Sequence, residues 1–269
     1  GKNTEEKMVI LTVSGRAEYA LSKEQIQSFQ RAIEQVEGLS SASVFVRVQQ
    51  SIRGQPTQFY EMHLSGSDHI VERLQIQTPF SDRKYQFKIS PTAFFQPNTD
   101  QAELLYAKAL EMVGDTPRNL VLDLYAGTAT LGLIFSSIAN KVISIEINPY
   151  AVFDGQANQE LNGADNLSLY KGDVPLKLKE LKEQGTFSSG IDLVVLDPPR
   201  TGLLSDAVEV IAGLHPKEIL YISCAPAHQL RDCLAFQEKG YEVVSIQPVD
   251  QFPQTIHIET IALLQKKDL

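Results

Sequence analysis

From residue 119 onward the chain alternates short apolar runs with stretches of helical periodicity, and this alternation constrains its fold more than any other feature. NLVLDLY, KVISIEI, LSLY, IDLVVLD, EILYISC and YEVVSIQPV follow one another in that order. NLVLDLY is a continuous apolar run of the kind buried on both faces in a parallel sheet. Repeated strand–helix units predict a doubly wound α/β sheet with right-handed crossovers. The last run, HIETIALLQ, follows YEVVSIQPV without a helix between them. A final strand entering by a hairpin is expected to lie antiparallel to the rest.

Before Ser90-Pro91 the texture differs. The runs MVILTV, SVFVRV, VERLQI and KYQFKI accompany one amphipathic helix starting at Ser22, with Ile26, Phe29, Ile33 and Val36 on one face. This predicts a small α+β domain of mostly antiparallel strands over residues 1–89, ahead of a larger α/β domain over residues 90–269 that opens with a helix near Thr99 to Val113. A chain of 269 residues is long enough for both. There is no internal repeat and no low-complexity segment.

Composition removes several classes. Apolar content of 43% and charged content of 21% suit a soluble globular protein. No apolar run approaches the roughly 18 residues of a membrane span, so no membrane partner is expected. The two cysteines, Cys224 and Cys233, lack metal-ligand spacing, so neither a disulfide framework nor an iron–sulfur cluster is expected, and no metal site. The cytoplasm is the expected compartment. A net charge of −9 argues against broad phosphate binding, so a nucleic-acid enzyme would need a local basic surface or a separate basic module. The opening GKNTEEK reads as the frayed start of a piece of a longer protein.

LVLDLYAGTATLG runs strand, glycine-bearing turn, helix. Gly127 lets the backbone approach a ligand, and the helix N-terminus presents free N–H groups. A single glycine in the turn is not the GxGxxG of a dinucleotide site. Glu146 ends the next strand, where a carboxylate can accept both ribose hydroxyls. Asp173, in KGDVP, is placed to meet an adenine amino group. Together these read as an S-adenosylmethionine pocket; an ordinary βα turn with a solvated Glu146 is the plain structural alternative.

In LDPPRTGL, Pro198 and Pro199 stiffen the loop, so that Asp197 and Arg200 project from a fixed frame. Cys224, in SCAP, ends the fifth strand at the carboxyl edge, where a thiolate is a good nucleophile toward an electron-poor alkene carbon. Glu259, in HIE, stands on a strand otherwise rich in Ile, Leu and Ala, and a carboxylate there needs a partner or a task. His257 is expected on the same face as a positioning residue. Cys233, on an expected helix, reads as inert filling.

The segments KISPTAFFQPN, LDLYAGTATLG, VISIEIN, VVLDPPRTG, YISCAPA and FPQTIHIETIALL, spanning about residues 87–264, resemble the S-adenosylmethionine-dependent RNA uracil-5 methyltransferases in order and spacing. The resemblance implies a Rossmann-like methyltransferase sheet and a reaction on carbon 5 of a specific uridine in structured RNA, tRNA or rRNA. It implies that Cys224 attacks carbon 6 of the uracil and that Glu259 removes the carbon 5 proton. It further implies cofactor contacts from Gln96, Tyr125, Thr130, Glu146, Asp173 and Asp197, with Gly127 in the loop and Arg200 and His257 on the substrate side. A monomer with no obligatory protein partner is expected. Two positions depart from the family pattern: Ala225 stands where many relatives carry Asn, and Thr130 where a polar amide is common. A 5-methylcytosine-forming enzyme using the same thiolate addition, or a non-catalytic RNA-binding module, are the alternative readings.

Overall fold

The structure is a computed structural model that describes residues 1–52 and 57–267. Its contacts divide the chain into two units, one of residues 1–73 with 87–93 and the other of residues 74–86 with 94–269.

Six elements open the chain: β1 (Met8–Ser14), α1 (Lys23–Glu34), β2 (Ser43–Gln50), β3 (Gln58–Ser65), β4 (Ile70–Thr78) and β5 (Ser81–Ile89). Ser22 caps α1 reciprocally: its side chain accepts from the Gln25 N–H and the Gln25 side chain accepts from the Ser22 N–H. The sheet runs β1-β2-β3, with β2 central and carrying the buried Val44, Phe45 and Val46. The expectation of mostly antiparallel strands holds for β2–β3 and for the tight β4–β5 hairpin, whereas β1 pairs parallel to β2. Helix α1 is the reason: a crossover between β1 and β2 lets the second strand run in the direction of the first. Strand β3 gave no apolar run because most of its residues are exposed. Strands β4 and β5 pair as a separate ribbon, and their inner stretch, 74–86, groups with the second unit.

The second unit continues with α2 (Thr99–Val113), β6 (Arg118–Leu124), α3 (Thr130–Phe135), β7 (Ala139–Glu146), α4 (Pro149–Leu161), β8 (Leu167–Lys171) and α5 (Val174–Glu183). It closes with β9 (Leu193–Leu196), α6 (Ser205–Ala212), β10 (Glu218–Ser223), α7 (Pro226–Glu238), β11 (Tyr241–Val249) and β12 (Glu259–Lys266). The seven strands are ordered β11-β12-β10-β9-β6-β7-β8, and β12 is antiparallel to both of its neighbours. This is the doubly wound sheet with an antiparallel last strand that the alternation predicted. The hairpin strand lies inside the sheet, and its residues Ile261 to Leu264 are accordingly buried.

Alternation along β6 shows how the layers are held. Leu120, Leu122 and Leu124 join a core with Leu178 of α5, Ile211 of α6 and Phe236 of α7. Each such leucine contributes roughly 1.5–3 kcal/mol on burial. The intervening Asp123 points to the opposite layer, where it accepts from the Gly132 N–H of α3. Strand β6 lies between β7 and β9, so the order reverses there, and the carboxyl ends of β6 and β9 open the crevice where such sheets bind ligands. Among the described residues, no helix is long and apolar enough to cross a membrane.

Candidate active site

The chain leaves β6 through a loop in which Tyr125, Gly127 and Ala129 have φ of 64°, 54° and 61°. A left-handed conformation at a bulky residue such as Tyr125 costs of order 1–3 kcal/mol and persists only where surrounding structure enforces it. Gly127 is required for its φ alone, since a Cβ there would meet nothing within 4 Å. Its N–H donates to Glu146 Oε2 at 2.9 Å, while Glu146 Oε1 accepts from the Asn148 N–H at 2.7 Å. Glu146 therefore ties the β6 loop to the turn after β7. Asp173 caps α5 by accepting from the Leu176 N–H at 3.2 Å. Beneath the loop, buried Asp123 accepts from Ser144 Oγ at 2.8 Å and from the Gly132 N–H at 3.0 Å. Burial pushes its carboxyl up to about 7, with the charge of Glu146 adding to the rise.

The other half of the crevice is built from side chains. In the β10–β12 ladder Ser223 pairs with Thr260, so the register carried one residue further sets Cys224 opposite Glu259. Gln229 of α7 fixes this pairing: its amide donates to the carbonyls of Tyr221 and Thr260, and it accepts from Thr260 Oγ1 at 2.7 Å. Glu259 is buried, and desolvation pushes its carboxyl up to about 7 against the opposing pull of Arg200. Asp197, half-buried, is pushed up to about 7 by burial, then by Glu259 and Asp123. Neither carboxylate accepts a side-chain hydrogen bond among the described residues. Burial pushes the half-exposed Cys224 thiol up and Glu259 adds to the rise, while Arg200 opposes it.

Both halves line one cavity of about 540 Å³, well within the range of small-molecule sites. Ten of the eleven residues singled out in the sequence border it: Gln96, Tyr125, Gly127, Thr130, Glu146, Asp173, Asp197, Arg200, Cys224 and Glu259. His257 does not. It precedes β12, is exposed, and meets Phe252 edge-on at 6.3 Å between centroids. Strand alternation stops short of His257, so it does not share the face of Glu259. Four carboxylates and one cation, Arg200, are among the lining residues, which gives the cavity a preference for cationic ligands.

Sequence reasoning passed over the aromatic wall. Phe94, Phe252 and Tyr106 also line the cavity. Phe94 and Phe252 adjoin motifs that were noticed, the FFQ around Gln96 and the FP before HIE. Tyr106 carries no such signal, because a tyrosine on the buried face of α2 looks like core. Its hydroxyl has no hydrogen-bond partner among the described residues, and burial with the charges of Asp197, Glu259 and Asp123 keeps it protonated. Gln251, fully buried, donates to Gln96 Oε1 at 3.4 Å and to the Asn98 carbonyl at 3.2 Å, which orients Gln96 at the cavity wall.

Comparison with known proteins bears on this site. The chain is 42% identical over 270 residues to an uncharacterized RNA methyltransferase of Protochlamydia amoebophila, covering 98% of this chain and 60% of that protein. It is 40% identical over 203 residues to an uncharacterized RNA methyltransferase of Caldanaerobacter subterraneus, covering 76% of this chain and 42% of that protein. The chain thus spans about half the length of these curated relatives. Among solved structures it is similar to the Pyrococcus abyssi tRNA (uracil-54, C5)-methyltransferase in complex with S-adenosyl-L-homocysteine, with a TM-score of 0.63 and 27% identity over 82% of this chain and 50% of that one. The sequence profile of the tRNA (Uracil-5-)-methyltransferases matches residues 27–267, and with these relatives it shows that the chain belongs to the tRNA (uracil-5-)-methyltransferase family.

Proposed function

We propose that the protein transfers a methyl group from S-adenosylmethionine to carbon 5 of a specific uridine in RNA, tRNA or rRNA, acting as a monomer through a covalent cysteine–uracil adduct. The observation that carries this reading is the cross-strand opposition of Cys224 and Glu259 at a cavity whose lining is four parts carboxylate to one part cation. That charge balance suits a cofactor bearing both an ammonium and a sulfonium group. In this reading Glu146 takes the ribose hydroxyls, Asp173 the adenine, Gln96, Tyr125, Thr130 and Asp197 the remainder, and the Gly127 loop allows close backbone approach; that all of them line the cavity supports it. Bound there, the cofactor supplies an electrophilic methyl group to carbon 5 of the activated base.

The protein's own residues perform the rest. The Cys224 thiolate bonds to carbon 6 of the uracil, the C5–C6 double bond opens, and its electron pair makes carbon 5 an enolate equivalent. Arg200, in the lining of the same cavity, favours the thiolate before attack. Once carbon 5 is methylated, Glu259 takes its proton; the electron pair re-forms the double bond and expels the thiolate. A carboxylate pushed up to about 7 is a stronger base than an exposed one and keeps a substantial ionised fraction at neutral pH. A base within folded RNA is extruded from its stack to reach the cavity, and exposed Phe94 offers it a ring at the rim.

The test is a methyl-transfer assay on RNA with labelled cofactor and nucleoside analysis by mass spectrometry. Cys224→Ala is expected to abolish product, whereas Glu259→Gln is expected to accumulate an RNA–protein adduct visible on a denaturing gel. Methylation undiminished in Cys224→Ala, or 5-methylcytidine as the product, would overturn the proposal.

A further inference from the structure

The loop carrying Arg200 is held by α7, the helix that begins two residues after Cys224. His228 Nδ1 lies 2.6 Å from the main-chain carbonyl of Arg200. A carbonyl can only accept, so Nδ1 carries the hydrogen and the imidazole donates. One turn along, Arg231 donates to the carbonyls of Thr201 at 3.2 Å and Leu203 at 3.0 Å. Asp232, buried, accepts from the Leu203 N–H at 2.8 Å and from the hydroxyl of Tyr221 in β10 at 2.7 Å. Gly202 is the close-approach point: at φ +73° a Cβ would stand 2.7 Å from both Arg231 Nη2 and Asp232 Oδ2. One helix therefore grips the loop and the nucleophile strand at once. Within this grip, among the described residues, His228 alone hydrogen-bonds the main chain of Arg200, and its ring is exposed, so it contributes no core packing.

We propose that His228 is a positioning residue for the thiolate centre: by holding the Arg200 carbonyl it sets the guanidinium against Cys224. The proposal rests on the reading of Cys224 as nucleophile, and it assigns to the exposed face of α7 a part in the chemistry. Arg200, from the loop after β9, lines the same cavity as Cys224, as do Asp197 at the end of that strand and Glu259 from β12, and these are the charged groups that act on the thiol. Two of the three are acidic and disfavour the thiolate. Arg200 is the favourable partner, so its placement governs how much thiolate forms. Releasing the Arg200 carbonyl lets the guanidinium withdraw while both carboxylates stay, and the thiol becomes harder to ionise.

The experiment is the pH dependence of Cys224 alkylation by iodoacetamide, followed by peptide mass spectrometry so that Cys233 is counted separately, on the full chain without RNA or cofactor. His228→Ala is expected to move the midpoint upward by about half a unit or more and to slow alkylation at pH 7.5 roughly threefold. His228→Asn, which keeps an N–H donor near the position of Nδ1, is expected to restore the parental midpoint. In an Arg200→Ala background the His228→Ala change should shift nothing further, because the two act through one contact. An unmoved midpoint in His228→Ala, or an equal shift with and without Arg200, overturns the proposal. The titration reads the thiol directly. A confirmed shift in a protein that methylates no RNA would therefore sink the functional reading and leave the positioning role standing.

Discussion

The two halves of the cavity are built on different principles. On the β6–β7–β8 side the functional groups are already satisfied: Glu146 accepts two backbone N–H groups, and Asp173 caps a helix. On the β9–β10–β12 side Glu259 accepts no side-chain hydrogen bond among the described residues, and burial pushes it up to about 7. A cradle gains from groups fixed before the ligand arrives. A reacting group gains from having its ordinary partners withheld, because an unsatisfied carboxylate is a stronger base. The comparison separates residues that hold from residues that react.

The largest effect separating the halves should come from pH. In the proposed mechanism Glu259 and Cys224 both act as conjugate bases, and both are shifted upward by burial. The active forms are therefore lost as pH falls. As pH falls below the thiol's ionisation, kcat/KM should fall about tenfold per unit as thiolate disappears; below about 7 the release of the methylated adduct should also slow, about tenfold per unit, as Glu259 is protonated. In Glu259→Gln, adduct formation should keep the first slope, and adduct release should show no break near 7. A pH–rate profile for release by the parental protein with no break near 7 would remove Glu259 from the reacting half.

A smaller effect is expected from the holding half. Glu146→Ala removes a charged acceptor from the Gly127 N–H and from the ribose position. It should weaken cofactor binding, read by calorimetry, by about ten- to a hundredfold, in line with roughly 1.5–3 kcal/mol for hydrogen bonds to a charged group. The pH dependence of Cys224 alkylation should be unaffected, since Glu146 is not among the charges that act on that thiol. The smallest effect belongs to Gly127→Ala. The added methyl meets no neighbour, so only the φ of 54° opposes it. The cost of about 1 kcal/mol should appear as a fall of a few degrees in Tm with the break near pH 7 unmoved.

Particular residues show how far the sequence could be read. The Ser22 cap with Gln25, the helix from Thr99 to Val113 and the antiparallel entry of the last strand were legible because each rests on local spacing or chain connectivity. The parallel pairing of β1 with β2 was not, since period-2 alternation is the same in either direction. Strand β3 was invisible because exposed strands carry no apolar run. Tyr106 was hidden because one buried tyrosine on a helix reads as core whether it faces a neighbour or a cavity.

By itself the sequence determined on which strand ends the groups of the proposed site lie: a thiol after one strand, a carboxylate opening another, a glycine turn after a third. Order along a doubly wound sheet follows from alternation and connectivity, which are local properties. Only the tertiary structure decided that β12 inserts between β10 and β11, which sets Glu259 across from Cys224 and buries it. It also decided that α7 reaches back to hold the Arg200 loop through His228. Both depend on contacts between residues far apart in the chain, and an elevated carboxylate pKa needs the whole surround that excludes water, which no local pattern encodes.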